Sequence, residues 1–317
     1  PSRARQTAST CPSTPQRSGA ARAAGSHRKV PSDPPPPMGS VARWLGRLSA
    51  RSLESESSNI LRTASSNKRG LSATLDATLR ESHNMRVFRL GTVAALASRE
   101  RYGRFTSSMH AVYLTMERSL DECRSPAVQQ LWKPHAFSLR RADALKGDLD
   151  EIGEFPCVPG SGGMDDGLYF DSGVGEMSDA TQHYLEVIHA AACDDEATGG
   201  ARLLGHVYCR YFADLFGGQA LASPTRWALG LRPGSPRHYD FGAFGADRRR
   251  SIESLYASIN GAGEMLDTAQ RDACIAEARV AFAANVQLYS EEAPLLADAA
   301  RGMANVAAGF VRSRISA

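Results

Sequence analysis

The chain has 317 residues, of which 42% are hydrophobic and 22% charged, with a formal net charge of +3. This composition is typical of a folded globular protein and excludes a collagen-like chain, a disulfide-rich miniprotein and a wholly disordered chain. The charge is unevenly distributed, because residues 1–52 carry nine basic and one acidic residue, whereas the rest carries 28 basic and 33 acidic residues. The positive charge lies in a segment that need not belong to the fold, so the sequence gives no support for a nucleic-acid-binding role.

Residues 1–70 are predicted to be a disordered leader. The first 37 residues are rich in Ser, Ala, Arg and Pro and lack the apolar periodicity from which a core is built. Over about 38–52, apolar residues at helical spacing accompany an arginine repeat on another face (Val41, Trp44, Leu45 and Leu48; Arg43, Arg47 and Arg51). A basic amphipathic helix followed by a Ser-rich stretch is typical of an import sequence for a plastid or a mitochondrion. The alternative is a basic helix that lies on a membrane or partner surface.

From Leu71 onward the dominant apolar period is about 3.6 residues, which predicts helices, whereas alternating strand patterns are missing. The predicted helices cover roughly 71–84, 98–122, 137–151, 178–194, 197–222, 246–264, 268–291 and 293–313. Between them, about 153–177 is expected to be a flexible, Gly-rich surface loop and 223–245 an irregular connection. We therefore expect a single all-α domain over 71–315. No apolar run approaches the roughly 18 residues of a membrane span, so we expect a soluble protein without a transmembrane segment.

The predicted helix that contains LLGHVYCRYFADLFGGQAL, residues 203–221, is the most informative element. It is apolar almost all round, and its only charged residues, Arg210 and Asp214, share one face with His206. This pair is either an exposed ion pair or a polar strip that faces a ligand cleft, where buried charges need partners. Gly217 and Gly218 follow, each costing about 1 kcal/mol in a helix. They indicate either the end of the helix or a kink at which a flat ligand approaches the backbone.

The run HVYCRYFADLFGGQ resembles the distal-helix signature of heme oxygenases. Other stretches are similar to that family in the same order: LSATLDATLRESH, MRVFRLGTV, YLTME, the segment from Ser125 to Leu149, and AFAANVQLY. The resemblance covers residues 71 to about 291. It implies an all-α heme oxygenase-like helical bundle with a kinked Gly-Gly distal helix.

The resemblance also implies a reaction and a set of site residues. His83 would be the axial ligand of the heme iron and Arg80 would meet a propionate. Gly217, Gly218 and Ala213 would lie against the heme, with Phe282 at its edge. Asp214 would hold a proton-donating water, in a hydrogen-bond network with Arg210, Tyr113 and Asn285. The implied reaction uses O2 and electrons from ferredoxin or an NADPH-dependent reductase to cleave heme to biliverdin, carbon monoxide and ferrous iron.

Several positions depart from the family pattern. Ala213 and Phe216 replace a usual glycine and serine, and Glu253 and Ala257 match basic positions that clamp the propionates. The alternatives are therefore a non-catalytic heme- or tetrapyrrole-binding protein, or a structural subunit of an organellar complex. A different enzyme on the same helices, such as a thiaminase-like protein, would need a nucleophilic cysteine, and none is apparent.

Overall fold

The computed structural model describes residues 69–81, 85–153, 177–193, 198–216, 218–244 and 248–315. Regular structure in these ranges is helical, without a strand, which confirms the all-α fold class. The predicted leader with its import helix, apart from residues 69 and 70, and the predicted loop between 154 and 176 lie outside the described residues.

The described helices are numbered in chain order, and the seventh combines three consecutive segments, two α-helical and one π-helical between them. They are α1 (Gly70–Glu81), α2 (Met85–Ala95), α3 (Arg99–Glu122), α4 (Pro126–Leu139), α5 (Ala142–Ile152), α6 (Asp179–Cys193), α7 (Ala201–Val207, Tyr208–Phe212 and Ala213–Phe216), α8 (Ala222–Leu229), α9 (Arg248–Glu264), α10 (Thr268–Ser290) and α11 (Leu295–Ile315). Short 3-10 turns occur at Gly218–Leu221, Arg237–Tyr239 and Gly242–Phe244.

Helix α7 lies in the main hydrophobic core, as its apolar sequence predicts. It packs against α10, α6 and α4, and Leu204, Val207 and Tyr211 are completely buried. Its middle turn, Tyr208–Phe212, is π-helical, a wider turn that often occurs at functional sites. The predicted kink stays a prediction because it centres on Gly217, which lies outside the described residues.

The predicted helix ranges omit α2 (Met85–Ala95) and most of α4 (Pro126–Leu139), and two of the predicted boundaries were wrong. The helix expected over 137–151 is broken, because Glu117 Oε1 accepts hydrogen bonds from the backbone N–H groups of Arg141 and Ala142 and so caps a new helix there. The connection expected to be irregular from 223 begins with α8, because a proline is tolerated in the first turn of a helix. Helix α8 ends at Leu229 and is followed by Gly230, whose φ of 62° is left-handed.

The carboxyl-terminal helix α11 packs against α2 and α8 beside a second, smaller core that includes Leu96, Tyr102 and Val306. Arg101 on α3 forms an ion pair with Asp298 and donates to the backbone oxygen of Glu292 at 2.6 Å, which fixes the start of α11. In the part of the chain that the structure describes, no helix is long and apolar enough to cross a membrane.

Candidate functional site

Arg210 and Asp214 form a buried ion pair on α7, so the reading as an exposed pair is wrong. Their side chains are only 3% and 9% exposed, and Arg210 Nη2 lies 3.1 Å from both carboxylate oxygens of Asp214. Burial alone would lower the pKa of Arg210, but Asp214 and Tyr113 raise it well above its usual value. Arg210 therefore stays charged, and Asp214 balances that charge inside the protein.

Tyr113 reaches this pair from α3. Its hydroxyl donates a hydrogen bond to Asp214 Oδ2 and accepts one from Arg210 Nε at 3.3 Å. Burial raises the pKa of Tyr113 well above its usual value, so the phenol stays protonated and remains a donor. Asp214 is thus held by both Arg210 and Tyr113.

Asn285 on α10 extends the network to a third helix. Its Oδ1 accepts a hydrogen bond from Arg210 Nη1 at 2.8 Å, while its Nδ2 donates to Tyr184 Oη at 3.0 Å and to Ala281 O at 2.8 Å. The structure therefore brings together the four residues predicted from the sequence as the network: Tyr113, Arg210, Asp214 and Asn285. Phe282, expected at the heme edge, lies one turn before Asn285 and is half-buried.

Gly218 is buried and faces Tyr239, a contact that the sequence did not predict. A Cβ on Gly218 would lie 3.0 Å from Tyr239 Cδ1 and 3.5 Å from Asp214 Cβ. Tyr239 is held in a 3-10 turn by the buried Asp148, which accepts from the backbone N–H of Arg237 at 2.6 Å and of His238 at 3.0 Å. The ring of Tyr239 therefore extends from this turn to Gly218, beside the network.

The remaining residues expected to contact the heme are only partly described. His83 and Gly217 lie outside the described residues. Ala213 is exposed, although the residues on either side of it, Phe212 and Asp214, are buried. One small side chain of the core helix therefore faces open space next to the network.

Arg80 lies in the last turn of α1 and its side chain is 77% exposed. Its guanidinium is 3.6 Å from Asp76 Oδ2, one turn earlier, and Asp76 Oδ1 accepts a hydrogen bond from Tyr208 Oη at 2.5 Å. This cluster joins α1 to α7, and the sequence analysis did not identify Asp76 or Tyr208 as part of the site.

His206 is completely buried on α7 and has a structural partner. Its Nε2 lies 3.0 Å from Glu277 Oε1, and Arg202 Nε lies 2.7 Å from the other oxygen of the same carboxylate. The pair fixes α7 on α10 away from the Arg210 network. Among the described residues, no group of three or more His, Cys, Asp or Glu side chains is arranged to hold a metal ion.

Comparisons with known proteins find similarity to heme oxygenases. The family model for heme oxygenase matches residues 167–291. Heme oxygenase 1 of Rattus norvegicus is 27% identical over 235 residues, covering 74% of this chain and 72% of the rat protein. The heme oxygenase of Pyropia yezoensis is 27% identical over 204 residues, covering 63% of this chain and 74% of that protein.

Solved structures share the fold. Heme oxygenase-1 from the cyanobacterium Synechocystis, in complex with heme, has a TM-score of 0.56 at 24% identity and covers 74% of this chain and 98% of its own. Heme oxygenase 2 from Chlamydomonas reinhardtii, without heme, has a TM-score of 0.58 at 19% identity and covers 72% of this chain and 99% of its own. The matched family model, the sequence relatives and the shared helical fold all point to similarity with the heme oxygenase family and support the resemblance read from the sequence.

Proposed function

We propose that this protein cleaves heme oxidatively to biliverdin, carbon monoxide and ferrous iron, using O2 and electrons from ferredoxin or an NADPH-dependent reductase. The observation that carries the proposal is the buried network of Tyr113, Arg210, Asp214 and Asn285 beside the exposed Ala213. Such a polar network is costly in a core unless every member is bonded. A polar network of this kind next to an exposed position on a core helix is typical of a ligand site.

The residues present fit a heme. Ala213 leaves a patch of helix with little side chain, against which a flat ring can lie, and the exposed Arg80 offers a donor for a carboxylate at the end of α1. His83, a few residues beyond α1, would hold the iron. When bound, heme supplies the iron that reacts with dioxygen and the ring that is oxidised.

The chain itself positions a proton donor. Tyr113 and Arg210 fix the orientation of the Asp214 carboxylate, whose two oxygens have more acceptor positions than these two donors use. A water that donates one hydrogen to Asp214 has its second hydrogen available for the ligand. Asp214 therefore acts as a holder of the proton-donating water, and Arg210 and Tyr113 act as positioning residues.

Heme binding is tested by adding hemin to the purified protein and following the Soret band. We expect a 1:1 complex whose Soret band is lost or shifted in His83→Ala. The matched control is His183→Ala, because His183 is an exposed histidine on α6. An identical spectrum in His83→Ala would overturn the assignment of the iron ligand.

Catalysis is tested by supplying ascorbate or reduced ferredoxin to the hemin complex and measuring biliverdin. We expect ring cleavage by the wild type, and in Asp214→Asn a rate reduced by about a hundredfold or more with hemin still bound. Asp272→Asn, which changes an exposed aspartate on α10, is the control and should cleave normally. Tight hemin binding by the wild type without ring opening would contradict the proposal.

That last outcome would favour the second candidate, a non-catalytic heme- or tetrapyrrole-binding protein. The observation in its favour is the exposed methyl group of Ala213, where the family resemblance expects a glycine. The methyl lies at the open side of the site and would crowd a ligand there. If Ala213→Gly gains ring cleavage that the wild type lacks, the crowding is the cause.

We further propose that residues 1–70 direct the protein into an organelle. The support is the basic, Ser-rich composition and the amphipathic segment at about 38–52. Residues 1–70 after an added initiating methionine, fused to a fluorescent protein, should enter plastids or mitochondria. The same fusion with Arg43, Arg47 and Arg51 changed to Gln should remain in the cytosol. Cytosolic fluorescence of the unchanged fusion would contradict this proposal.

A further inference from the structure

The outer side of α11 carries an apolar strip along the whole helix. Leu296, Met303, Val311 and Ile315 follow one another at intervals of seven, eight and four residues, which return to the same side of an α-helix. All four side chains are exposed, and Leu296 and Ile315 are 72% and 80% exposed. A continuous exposed apolar surface of this kind marks a place where a protein binds a partner or a membrane.

The packing of α11 fixes which side of the helix faces outward. Gly302 lies against the backbone oxygen of Val93 on α2. Gly309 lies against the backbone oxygen of Trp227 on α8. On the opposite side, three exposed alanines continue the strip: Ala300, Ala304 and Ala308. The strip therefore belongs to a helix that is held firmly on the body of the protein.

Helix α11 and the two helices that it packs against are basic. Together α2, α8 and α11 contain six arginines and one acidic residue, Asp298, whereas the chain after residue 52 has more acidic than basic residues. Asp298 is buried and forms ion pairs with Arg101 and Arg301. The exposed charged residues of α11 are thus all arginines: Arg301, Arg312 and Arg314.

These arginines lie where the strip meets its surroundings. By helical spacing, Arg301 and Arg312 lie along one edge of the strip, and Arg314 lies in the last turn. Two glutamates precede the helix, and Glu292 accepts two hydrogen bonds from Arg104, each of 2.9 Å. Glu291 is exposed, but it lies before the first turn of α11. Among the described residues, the strip is therefore apolar throughout and basic toward its carboxyl end.

We propose that the α11 strip lies on the surface of a membrane that contains anionic phospholipids. Such a surface offers acyl chains to the apolar side chains and phosphates to the arginines, whose long stems keep their charge among the headgroups. A second copy of this chain would fit less well, because its α11 brings the same arginines and no exposed carboxylate to meet them. The inference does not depend on the proposed reaction.

The test is co-sedimentation of the full chain with vesicles of phosphatidylcholine alone, or of equal parts phosphatidylcholine and phosphatidylglycerol. The basic residues at 38–52 would also attract anionic vesicles, so every protein compared carries Arg43, Arg47 and Arg51 changed to Gln. We expect binding to the anionic vesicles that weakens as salt is added, and weaker binding to phosphatidylcholine alone.

The apolar contact is tested by Leu296→Gln with Met303→Gln, which should weaken binding to the anionic vesicles about tenfold. The matched control is Met265→Gln with Val280→Gln, because these side chains are 54% and 40% exposed on other parts of the surface. That pair of changes should alter binding less than about twofold.

The charge is tested by Arg312→Gln with Arg314→Gln. Binding to the anionic vesicles should weaken about tenfold, and binding to phosphatidylcholine alone should stay the same. Its control is Arg124→Gln with Arg279→Gln, which removes two arginines that are exposed elsewhere and should have little effect. Unchanged melting temperatures in all these variants would show that the losses do not come from unfolding.

Light scattering without vesicles tests the other occupant. We expect a monomer, and a dimer that Leu296→Gln with Met303→Gln separates would show that a second copy covers the strip, which overturns the inference. Failure to bind the anionic vesicles also overturns it, whatever protein segment then covers the strip. Binding that both pairs of α11 changes leave unaltered would place the membrane contact elsewhere and overturn it as well.

Discussion

Arg210 is a buried cation, and the residues that balance it define the site. Its guanidinium contacts Asp214, Tyr113 and Asn285, which come from its own helix, α3 and α10. Removing the charge of one partner leaves the other charge buried and uncompensated, a change that costs about 3–5 kcal/mol.

We expect the stabilities of Arg210 and Asp214 variants to be strongly coupled. Arg210→Gln and Asp214→Asn should each lower the free energy of unfolding by about 3 kcal/mol, because each isolates a buried charge. The double variant should be more stable than the sum of the two losses predicts, by about 1.5 kcal/mol or more. Urea unfolding of the four proteins measures this coupling. Additive losses would show that the two side chains do not act as a pair.

Tyr239 should act on catalysis by supporting the residues next to it. Its ring packs against Gly218 and lies near Asp214. We expect Tyr239→Ala to lower kcat for ring cleavage about tenfold or more, since small displacements of catalytic groups are costly, with little change in hemin affinity. Tyr239→Phe keeps the ring and should restore kcat. If Phe is as slow as Ala, the hydroxyl and not the packing is responsible.

The four polar residues of the network could be identified from the sequence because they lie in segments with a strong family resemblance. Tyr239 could not, because it comes from the connection after α8, where no periodicity or motif marks a contact. Asp76 was missed for a different reason. Asp76 joins α1 to α7 through its hydrogen bond with Tyr208, and the sequence shows Tyr208 only as one member of an apolar stripe.

At the scale of helices, periodicity predicted most elements, and the errors have identifiable causes. The break between α4 and α5 depends on Glu117, more than 20 residues earlier in the chain, so no local pattern could reveal it. Helix α4 itself begins with Ser125 as its N-cap and Pro126 in its first turn, a start signal that is present in the sequence. The π-helical turn of α7 has no sequence signal that we can identify.

Helix α11 should depend on glycine for its close approach to α2. A Cβ on Gly302 would lie 2.0 Å from the backbone oxygen of Val93, an atom that moves only with its helix. Gly302→Ala should therefore lower the free energy of unfolding by about 2–3 kcal/mol, measured by thermal or urea unfolding. Gly147→Ala on α5 is the control, since its nearest neighbours are atoms of the flexible Arg237 side chain at 3.4 Å. There alanine should be neutral or stabilising. Equal effects of the two changes would contradict the packing argument.

For the molecule as a whole, the sequence divides into a basic segment over residues 1–52 and a mildly acidic remainder, and the described helices all lie in that remainder. The sequence did not predict how α7 is held within the helical body. Glu277 on α10 holds α7 in place, because its carboxylate accepts hydrogen bonds from both His206 and Arg202 of α7. Glutamate in a helix without an evident partner reads as a surface residue, yet Glu277 is only 4% exposed.

This contact between Glu277 and α7 should make the stability of the whole fold sensitive to acid. Burial alone would raise the pKa of Glu277, but the hydrogen bonds and charges of His206 and Arg202 outweigh it and lower that pKa below its usual value. A carboxyl group with a lowered pKa in the folded state stabilises the protein above its unfolded pKa of about 4.3, and this contribution is lost as the pH falls through the folded value.

Thermal unfolding of the wild type and Glu277→Gln between pH 7 and pH 3 tests this dependence. Because glutamine cannot ionise, the difference between the two melting temperatures should be largest at neutral pH and should shrink below about pH 4.3, where the wild type loses its advantage. The other carboxyl groups are common to both proteins and cancel in the difference. Glu264→Gln, at an exposed position at the end of α9, should differ little from the wild type throughout. A difference for Glu277→Gln that stays constant with pH would mean that its charge does not hold α7 in place.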